Sequence, residues 1–203
     1  MIKAIVLDIG GVLVRTEDHT ARRELEKRYH LPAGSIHQLV FNSPAAVEST
    51  LGRADSNKIW EFVAETLSID KEGLHEFKKN FWKGDQLDHE VLNLLQECRV
   101  DYITALLTNA WMHARKTLAN QYSIKEGETV DHILISSELG VAKPDPEIYR
   151  ILAETLACDY EEILFVDDFI ENIRSANALG IETIHFYPGI NLINEIQSIL
   201  DKV

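Results

Sequence analysis

The sequence predicts an α/β protein: a doubly wound parallel sheet with a helical insertion after its first strand. Three observations lead there. Short β-branched apolar runs recur, at residues 2–7, 102–107, 133–135, 163–166 and 183–186, and the first four end at Asp8, Thr108, Ser136 and Asp167. The runs are continuous rather than alternating, as expected of strands covered on both faces. Helical patterns separate the later runs, and strand–helix alternation of this kind builds a doubly wound, Rossmann-like sheet.

Taken in order, the 2–7 run is the first strand. Residues 15–87 then break the rhythm, with helical patterns and no convincing strand. Ala21, Leu25 and Tyr29 mark one helix, Ile59, Trp60, Val63 and Leu67 a second, and Leu74, Phe77 and Phe81 a third. The stretch is far longer than an ordinary βα connection, so it reads as a helical subdomain over 15–87, with 1–14 and 88–203 forming the α/β core. After the second and third strands, Asp145-Pro146 reads as an N-cap with proline at the first helical position, followed by Ile148, Tyr149, Leu152 and Leu156 at helical spacing. Ile173, Ala176 and Leu179 continue a helix that Gly180 ends. Leu192, Ile193, Ile196, Ile199 and Leu200 make a final amphipathic helix.

Composition narrows the function. With 203 residues the chain is long enough to bury a core without disulfides or a structural metal. Its 20 Lys+Arg against 33 Asp+Glu give a formal charge of −13, which repels phosphate backbones and anionic lipid, so no nucleic-acid or membrane-surface partner is expected. The N-terminal apolar run is interrupted by Asp8 and the glycine pair and is followed by no small-residue cleavage site. No stretch approaches the roughly 18 apolar residues a membrane span needs. Cys98 and Cys158 form no CxxC and read as buried, reduced thiols. A cytoplasmic location follows as the expectation.

In open α/β sheets ligands bind outside the carboxyl ends of the strands. There the sequence places Asp8, Thr108-Asn109, Ser136 and Asp167-Asp168, with Lys143 in the loop after the third strand. Converging carboxylates repel one another unless a cation sits among them, and oxygen-only donors favour Mg²⁺. A carboxylate nucleophile with Mg²⁺, a lysine and a hydroxyl suits phosphoryl transfer. An aspartate ending a strand is commonly a turn former or helix cap; it is the set that is specific, since five such positions at successive strand ends share one edge of the sheet.

These residues resemble the motifs of the haloacid dehalogenase-like (HAD) hydrolase superfamily, in that family's order and along the whole chain. Asp8-Ile9-Gly10-Gly11-Val12 is similar to its first motif, usually Asp-x-Asp-Gly-Thr/Val, and Leu106-Leu107-Thr108-Asn109 to its second. Lys143 within Gly140-Val141-Ala142-Lys143-Pro144-Asp145-Pro146 is similar to the third, and Val166-Asp167-Asp168 with Asn172 to the fourth. Receiver domains place an Asp, Thr and Lys on a similar sheet, but their acidic pair comes early in the chain, whereas here it comes last. The resemblance is nearest to a sugar-phosphatase-like branch whose first motif has glycine at the third position. It implies that 15–87 is a small α-helical cap.

It also implies roles: Asp8 as the nucleophile that forms an aspartyl-phosphate, Thr108 and Asn109 as phosphate-binding groups, and Lys143 as the partner of nucleophile and phosphate. Asp8, the Gly10 carbonyl and Asp168 would hold Mg²⁺, with Asp167 and Asn172 in support. The substrate would be a small phosphorylated metabolite. Most phosphatases of the superfamily carry at position 10 an aspartate that protonates the leaving oxygen and activates water. Gly10 keeps the carbonyl and lacks that group, a loss of about 10²–10⁴ in rate. Substrates with good leaving groups, such as sugar 1-phosphates, acyl phosphates or aryl phosphates, should suffer least. The alternative is a non-catalytic HAD-fold protein that binds or regulates.

Other positions read more blandly. His113 and Arg115 after Trp111 are taken as helix-surface residues, and Arg15 as a hinge residue. Trp60, Phe62 and Phe77 are taken as core of the insertion. The eight histidines show no HExxH or HxxxH spacing, so zinc is not expected.

Overall fold

In the computed structural model, which describes residues 1–201, the expected strands form one five-stranded parallel sheet in the order β5-β4-β1-β6-β7. The strands are β1 (Ala4–Leu7), β4 (Ile103–Thr108), β5 (His132–Ile135), β6 (Ile163–Asp167) and β7 (Glu182–His185). β1 is central and pairs with both β4 and β6 in parallel register. Its four residues are buried and alternate between two cores. Ile5 and Leu7 join Val91, Leu95, Leu118 and Ile196 on one face. Ala4 and Val6 join Ile148, Tyr149, Leu152 and Ala176 on the other. Burial on both faces is the physical reason the strands read as unbroken apolar runs.

The flanking helices are α6 (His89–Cys98), α7 (Ala114–Tyr122), the single turn α8 (Ser136–Leu139), α9 (Pro146–Leu156), α10 (Ile170–Ala178) and α11 (Leu192–Leu200). α9 starts as its sequence directs, with the Asp145 carboxylate accepting from Glu147 N at 2.9 Å and Pro146 at the first turn. Asp70 likewise caps the helix that begins at Lys71.

Between β1 and α6 lie five helices, α1 (Thr20–Arg28), α2 (Ser35–Phe41), α3 (Pro44–Thr50), α4 (Asn57–Leu67) and α5 (Lys71–Trp82). They enclose a separate apolar cluster of Leu25, Ile36, Val40, Ile59, Trp60, Val63, Phe77 and Phe81. Phe62 is only half-buried. Two features depart from the sequence expectation. The 15–87 stretch is bracketed by strands after all: β2 (Val14–Thr16) and β3 (Asp85–Leu87) form an antiparallel pair, with Arg15 opposite Gln86. Three half-exposed residues per strand are too few to show a period of two. The helices α2 and α3 are also additional, each of seven residues and so under two full turns.

The insert touches the core at a second place. Trp111, in the loop after β4, packs against the insert's cluster, its ring 5.4 Å from Phe41 and 5.9 Å from Trp60. The Ser136 hydroxyl donates to the Thr50 carbonyl at 2.8 Å. A side chain on Gly52 would run into the Ser137 carbonyl, so insert and core backbones meet directly there. No helix among the described residues is long and apolar enough to cross a membrane.

Candidate active site

Because β1 lies between β4 and β6, the residues ending these three strands are neighbours. Asp8 follows β1, its N–H donating to the Val166 carbonyl at 2.8 Å. Thr108 ends β4 and Asp167 ends β6. Lys143 arrives from the loop before α9, and that loop is fixed by the side chain of Asn109. Its amide donates to the Lys143 carbonyl at 2.8 Å and accepts from the Lys143 N–H at 2.8 Å. The Lys143 ammonium then reaches the Leu107 carbonyl at 2.8 Å, Asp8 Oδ1 at 2.9 Å and Asp167 Oδ2 at 2.7 Å. Three protons meet three acceptors, and the side chain is 1% exposed.

The three carboxylates differ in what they have left to offer. Asp167 is spent: Oδ1 accepts from Phe169 N and the Asn172 amide, while Oδ2 accepts from Asn172 and Lys143. Asn172 is held in turn, its carbonyl accepting from the buried Tyr149 hydroxyl at 2.9 Å. Asp8 keeps one oxygen free, since Oδ1 takes both the Ile9 N–H at 2.7 Å and Lys143, and Oδ2 accepts no bond among the described residues. Asp168 Oδ1 is buried with no partner at all. Thr108 is a buried residue at the end of the neighbouring strand β4, and its hydroxyl makes no hydrogen bond among the described residues.

The charges do not balance. Asp8, Asp167 and Asp168 place carboxylate oxygens within 4.8 Å of one another, opposed by one ammonium. Burial pushes the Asp8 carboxyl well above the ordinary carboxylate range, with Lys143 pulling it back and Asp167 adding to the rise. Burial and the Asp167 charge raise Asp168 to about 6. Burial alone would lower the Lys143 ammonium, but the facing charges of Asp8 and Asp167 outweigh it and hold it charged. A buried cluster with this excess of negative charge is relieved by a proton or by a cation.

The donor set fits a hard divalent cation. Asp168 Oδ1 lacks a partner, no N–H among the described residues donates to the Gly10 carbonyl, and Asp8 brings a carboxylate oxygen within 4.8 Å of that of Asp168. All three are oxygens, the preference of Mg²⁺. Asp167, with four hydrogen bonds, is better suited to hold Lys143 than to bind metal.

The adjacent glycines are not equivalent. Gly11 has φ +84°, and a Cβ there would lie 2.5 Å from Asp168 Cγ and 2.8 Å from its Oδ1. Glycine is therefore required twice over, by conformation and by the carboxylate lying against it. Gly10 has no such φ, and a Cβ built on it meets nothing within 4 Å. Gly11→Ala is accordingly expected to displace Asp168, weakening divalent-cation binding at least about 10-fold. Titration calorimetry checks this, and unchanged affinity would remove Asp168 from the ligand set.

The structure thus gathers Asp8, Thr108, Asn109, Lys143, Asp167, Asp168 and Asn172 at one end of the sheet, and leaves Ser136 outside. The Ser136 hydroxyl also accepts from Ala110 N at 3.0 Å, so it ties the β4 loop to the insert. His113 lies exposed, 3.4 Å from Asp55 of the insert. Arg115 pairs with Glu138 and Glu126. Arg15 donates to the Val12 carbonyl at 2.6 Å and to Asp88 at 2.7 Å, bracing β2 against the N-terminus of α6. Of the cysteines, Cys158 is buried and Cys98 only half-buried; both are free. Sequence reasoning missed the clamp that the Asn109 side chain makes on Lys143. Its signal is the pairing of an amide at one strand end with the lysine loop of the next, which the strand order alone brings together.

Carboxylates, ammonium and hydroxyl gathered at one end of the sheet define a hydrolase of the HAD type, and the comparisons agree. The sequence model of the haloacid dehalogenase-like hydrolases matches residues 2–180, and the chain belongs to that family. A phosphatase of Mycobacterium tuberculosis is 37% identical over 186 residues, covering 89% of this chain and 85% of its own. D-Ribitol-5-phosphate phosphatase of Bacteroides thetaiotaomicron is 26% identical over 208 residues, covering 100% of each chain. Other relatives are larger: the chain spans 18% to 36% of the length of the mammalian bifunctional epoxide hydrolases 2 that it matches. A HAD family enzyme of B. thetaiotaomicron, solved in complex with magnesium and inorganic phosphate, shares the fold with a TM-score of 0.77 at 21% identity, over 95% of this chain and 98% of that one.

Proposed function

We propose that the protein is a Mg²⁺-dependent phosphatase that acts through an aspartyl-phosphate on Asp8 and takes small phosphorylated metabolites, favouring good leaving groups such as sugar 1-phosphates. One observation carries this reading: a single buried ammonium holds Asp8 and Asp167 in place while Asp8 Oδ2 and Asp168 Oδ1 stay unpartnered. The phosphatase relatives and the magnesium–phosphate complex of a structural neighbour support it.

Asp8, the Gly10 carbonyl and Asp168 would hold the Mg²⁺, which when bound supplies positive charge to the phosphoryl oxygens. Lys143 orients Asp8 Oδ1, leaving Oδ2 to approach phosphorus. The Thr108 hydroxyl and the backbone beside Asn109 would hold phosphoryl oxygens that gain charge in the transition state. The 15–87 insert would act as the cap, closing the strand ends to bulk water and contacting the remainder of the substrate.

The test is phosphate release from a panel of sugar 1-phosphates, acyl and aryl phosphates and alkyl monoesters, with Mg²⁺ and with EDTA. Mg²⁺-dependent release is expected, at least about 10²-fold faster for the good leaving groups than for alkyl esters. Equal rates across the panel would remove the leaving-group preference. Silence throughout, with Mg²⁺ bound, would favour a binding protein of the same fold.

A further inference from the structure

We propose that this site loads a phosphoryl group onto Asp8 faster than water can remove it, so that the phosphorylated protein accumulates and its discharge responds to a small external base. The inference rests on Asp8 being the nucleophile and goes beyond it to the fate of the intermediate.

Discharge requires a water to attack phosphorus and lose a proton, and general base assistance requires an ionisable side chain free to take it. Those gathered at the strand ends are committed, to one another or to the cation. The Lys143 ammonium has all three protons committed, and Asp167 accepts four hydrogen bonds. Asp168 would hold the cation, whose charge would lower the basicity of both its oxygens, and Asp8 carries the phosphoryl group itself. Asn109 and Asn172 are neutral amides already engaged. His185, at the end of β7 and two strands from β1, donates through Nε2 to the Asp168 carbonyl at 3.0 Å, and His113 faces Asp55 of the insert. Arg15 is paired with Glu17 and Asp88.

The one position with room for such a group has no side chain. Gly10 is exposed, follows Asp8 by two residues, and has no backbone conformation that demands glycine; a Cβ there would point into open space. Gly11 next to it is forced to be glycine and Gly10 is not, so the opening is a feature of the site rather than a by-product of the turn.

The two half-reactions feel this differently. In the first, Asp8 Oδ2 attacks phosphorus, the P–Oδ2 bond forms and the P–O bond to the leaving group breaks. The leaving oxygen keeps the electron pair and takes a proton from solvent. An aryl or anomeric oxygen departs readily without assistance. In the second, a water oxygen attacks phosphorus, the P–Oδ2 bond breaks with its electron pair returning to Asp8, and the water proton must pass to solvent. The second step bears the full loss of general base assistance, about 10²–10⁴-fold, while the first escapes most of it. A small neutral base such as imidazole, entering from solvent over the exposed Gly10, would take that proton.

The experiment is rapid mixing of the Mg²⁺-loaded protein with excess 4-nitrophenyl phosphate, with intact-mass measurement of acid-quenched samples. The expected result is a burst of nitrophenolate approaching one equivalent, a matching fraction of protein carrying one phosphoryl group, and a slower steady state. Imidazole should raise that steady state several-fold without changing the burst. Gly10→Asp should raise it at least about 10-fold and shrink the burst. Linear release with no burst, in a protein that Asp8→Asn silences, would overturn the inference and leave the nucleophile in place. Full activity in Asp8→Asn would instead remove the nucleophile. A burst that neither imidazole nor Gly10→Asp affects would show that proton transfer is not what slows discharge, and would also overturn the inference.

Discussion

Asp8→Asn is expected to abolish turnover while leaving the fold intact, with a loss on the order of 10⁴-fold or more, as for other covalent nucleophiles. The substitution is nearly isosteric and keeps the interactions of Oδ1, which still accepts from Ile9 N and Lys143. What disappears is Oδ2, the oxygen without a partner, replaced by an amide nitrogen with no lone pair for phosphorus. The same change removes one of three negative charges crowded within 4.8 Å. The metal-free variant should therefore be no less stable than the parent, and divalent-cation affinity should fall. Phosphate release on the best substrate and urea denaturation in EDTA give the two readouts. Residual activity within 10-fold of the parent would dismiss Asp8 as nucleophile. Lost activity with a lowered urea midpoint would mean that the carboxylate's main task is structural.

The site was legible in the sequence because its residues end apolar runs. In a parallel sheet covered on both faces, the first polar residue after each run must leave the core at the carboxyl edge, so Asp8, Thr108 and Asp167 declare their positions without any tertiary information. Lys143 was placed by a different signal, the Asp145-Pro146 helix start that fixes the end of its loop. Ser136 obeyed the same rule as Asp8 and yet serves the insert. Its strand, β5, lies at the sheet's edge, two places from β1, so its hydroxyl meets Thr50 instead of the carboxylates. Strand order separates these cases, and order is set by packing that no local run encodes.

The insert was legible as helical and poorly legible in detail. Its long helices α4 and α5 announce themselves through Ile59, Trp60 and Val63 and through Phe77 and Phe81, all buried in one cluster. The strands β2 and β3 carry Val14-Arg15-Thr16 and Asp85-Gln86-Leu87, half-exposed and mostly polar, and they exist because they pair with each other. Trp111 follows the second core strand in the chain, yet its ring belongs to the insert's aromatic cluster. The contact is long-range and periodicity cannot report it. Gly10 and Gly11 show the same limit in miniature: two identical letters, of which the fold requires one and leaves the other free.

Lys143→Met should cost the metal-free protein about 3–5 kcal/mol, the usual result of deleting one partner of a buried ion pair. Methionine approximates the aliphatic stem, so the loss is chiefly electrostatic: Asp167, 0% exposed, and Asp8 would face each other without the ammonium that now lies 2.7 and 2.9 Å from them. The deficit should depend on pH with a definite sign. In the parent, the Lys143 pKa is raised by its carboxylates, so its stabilising contribution is complete at neutral pH and is lost only as pH rises through that elevated value. In the variant the carboxylates have lost their counter-charge, so folding draws protons onto them. Their folded pKa values lie above the unfolded ones, and the penalty shrinks as pH falls. Urea midpoints from pH 8 down to pH 5 should therefore converge for the two proteins. Added Mg²⁺ should recover only part of the loss, because Asp167 is turned toward Lys143 and Asn172 rather than toward the cation site. The exposed Arg150, which pairs with Glu147 and Glu154 along one helix face, provides the control. Both partners stand in water, and Arg150→Met should leave the midpoint unchanged. A Lys143→Met protein as stable as its parent at pH 8 would mean that the cluster is not charged as its geometry indicates, and the electrostatic basis for a cation at this site would fall with it.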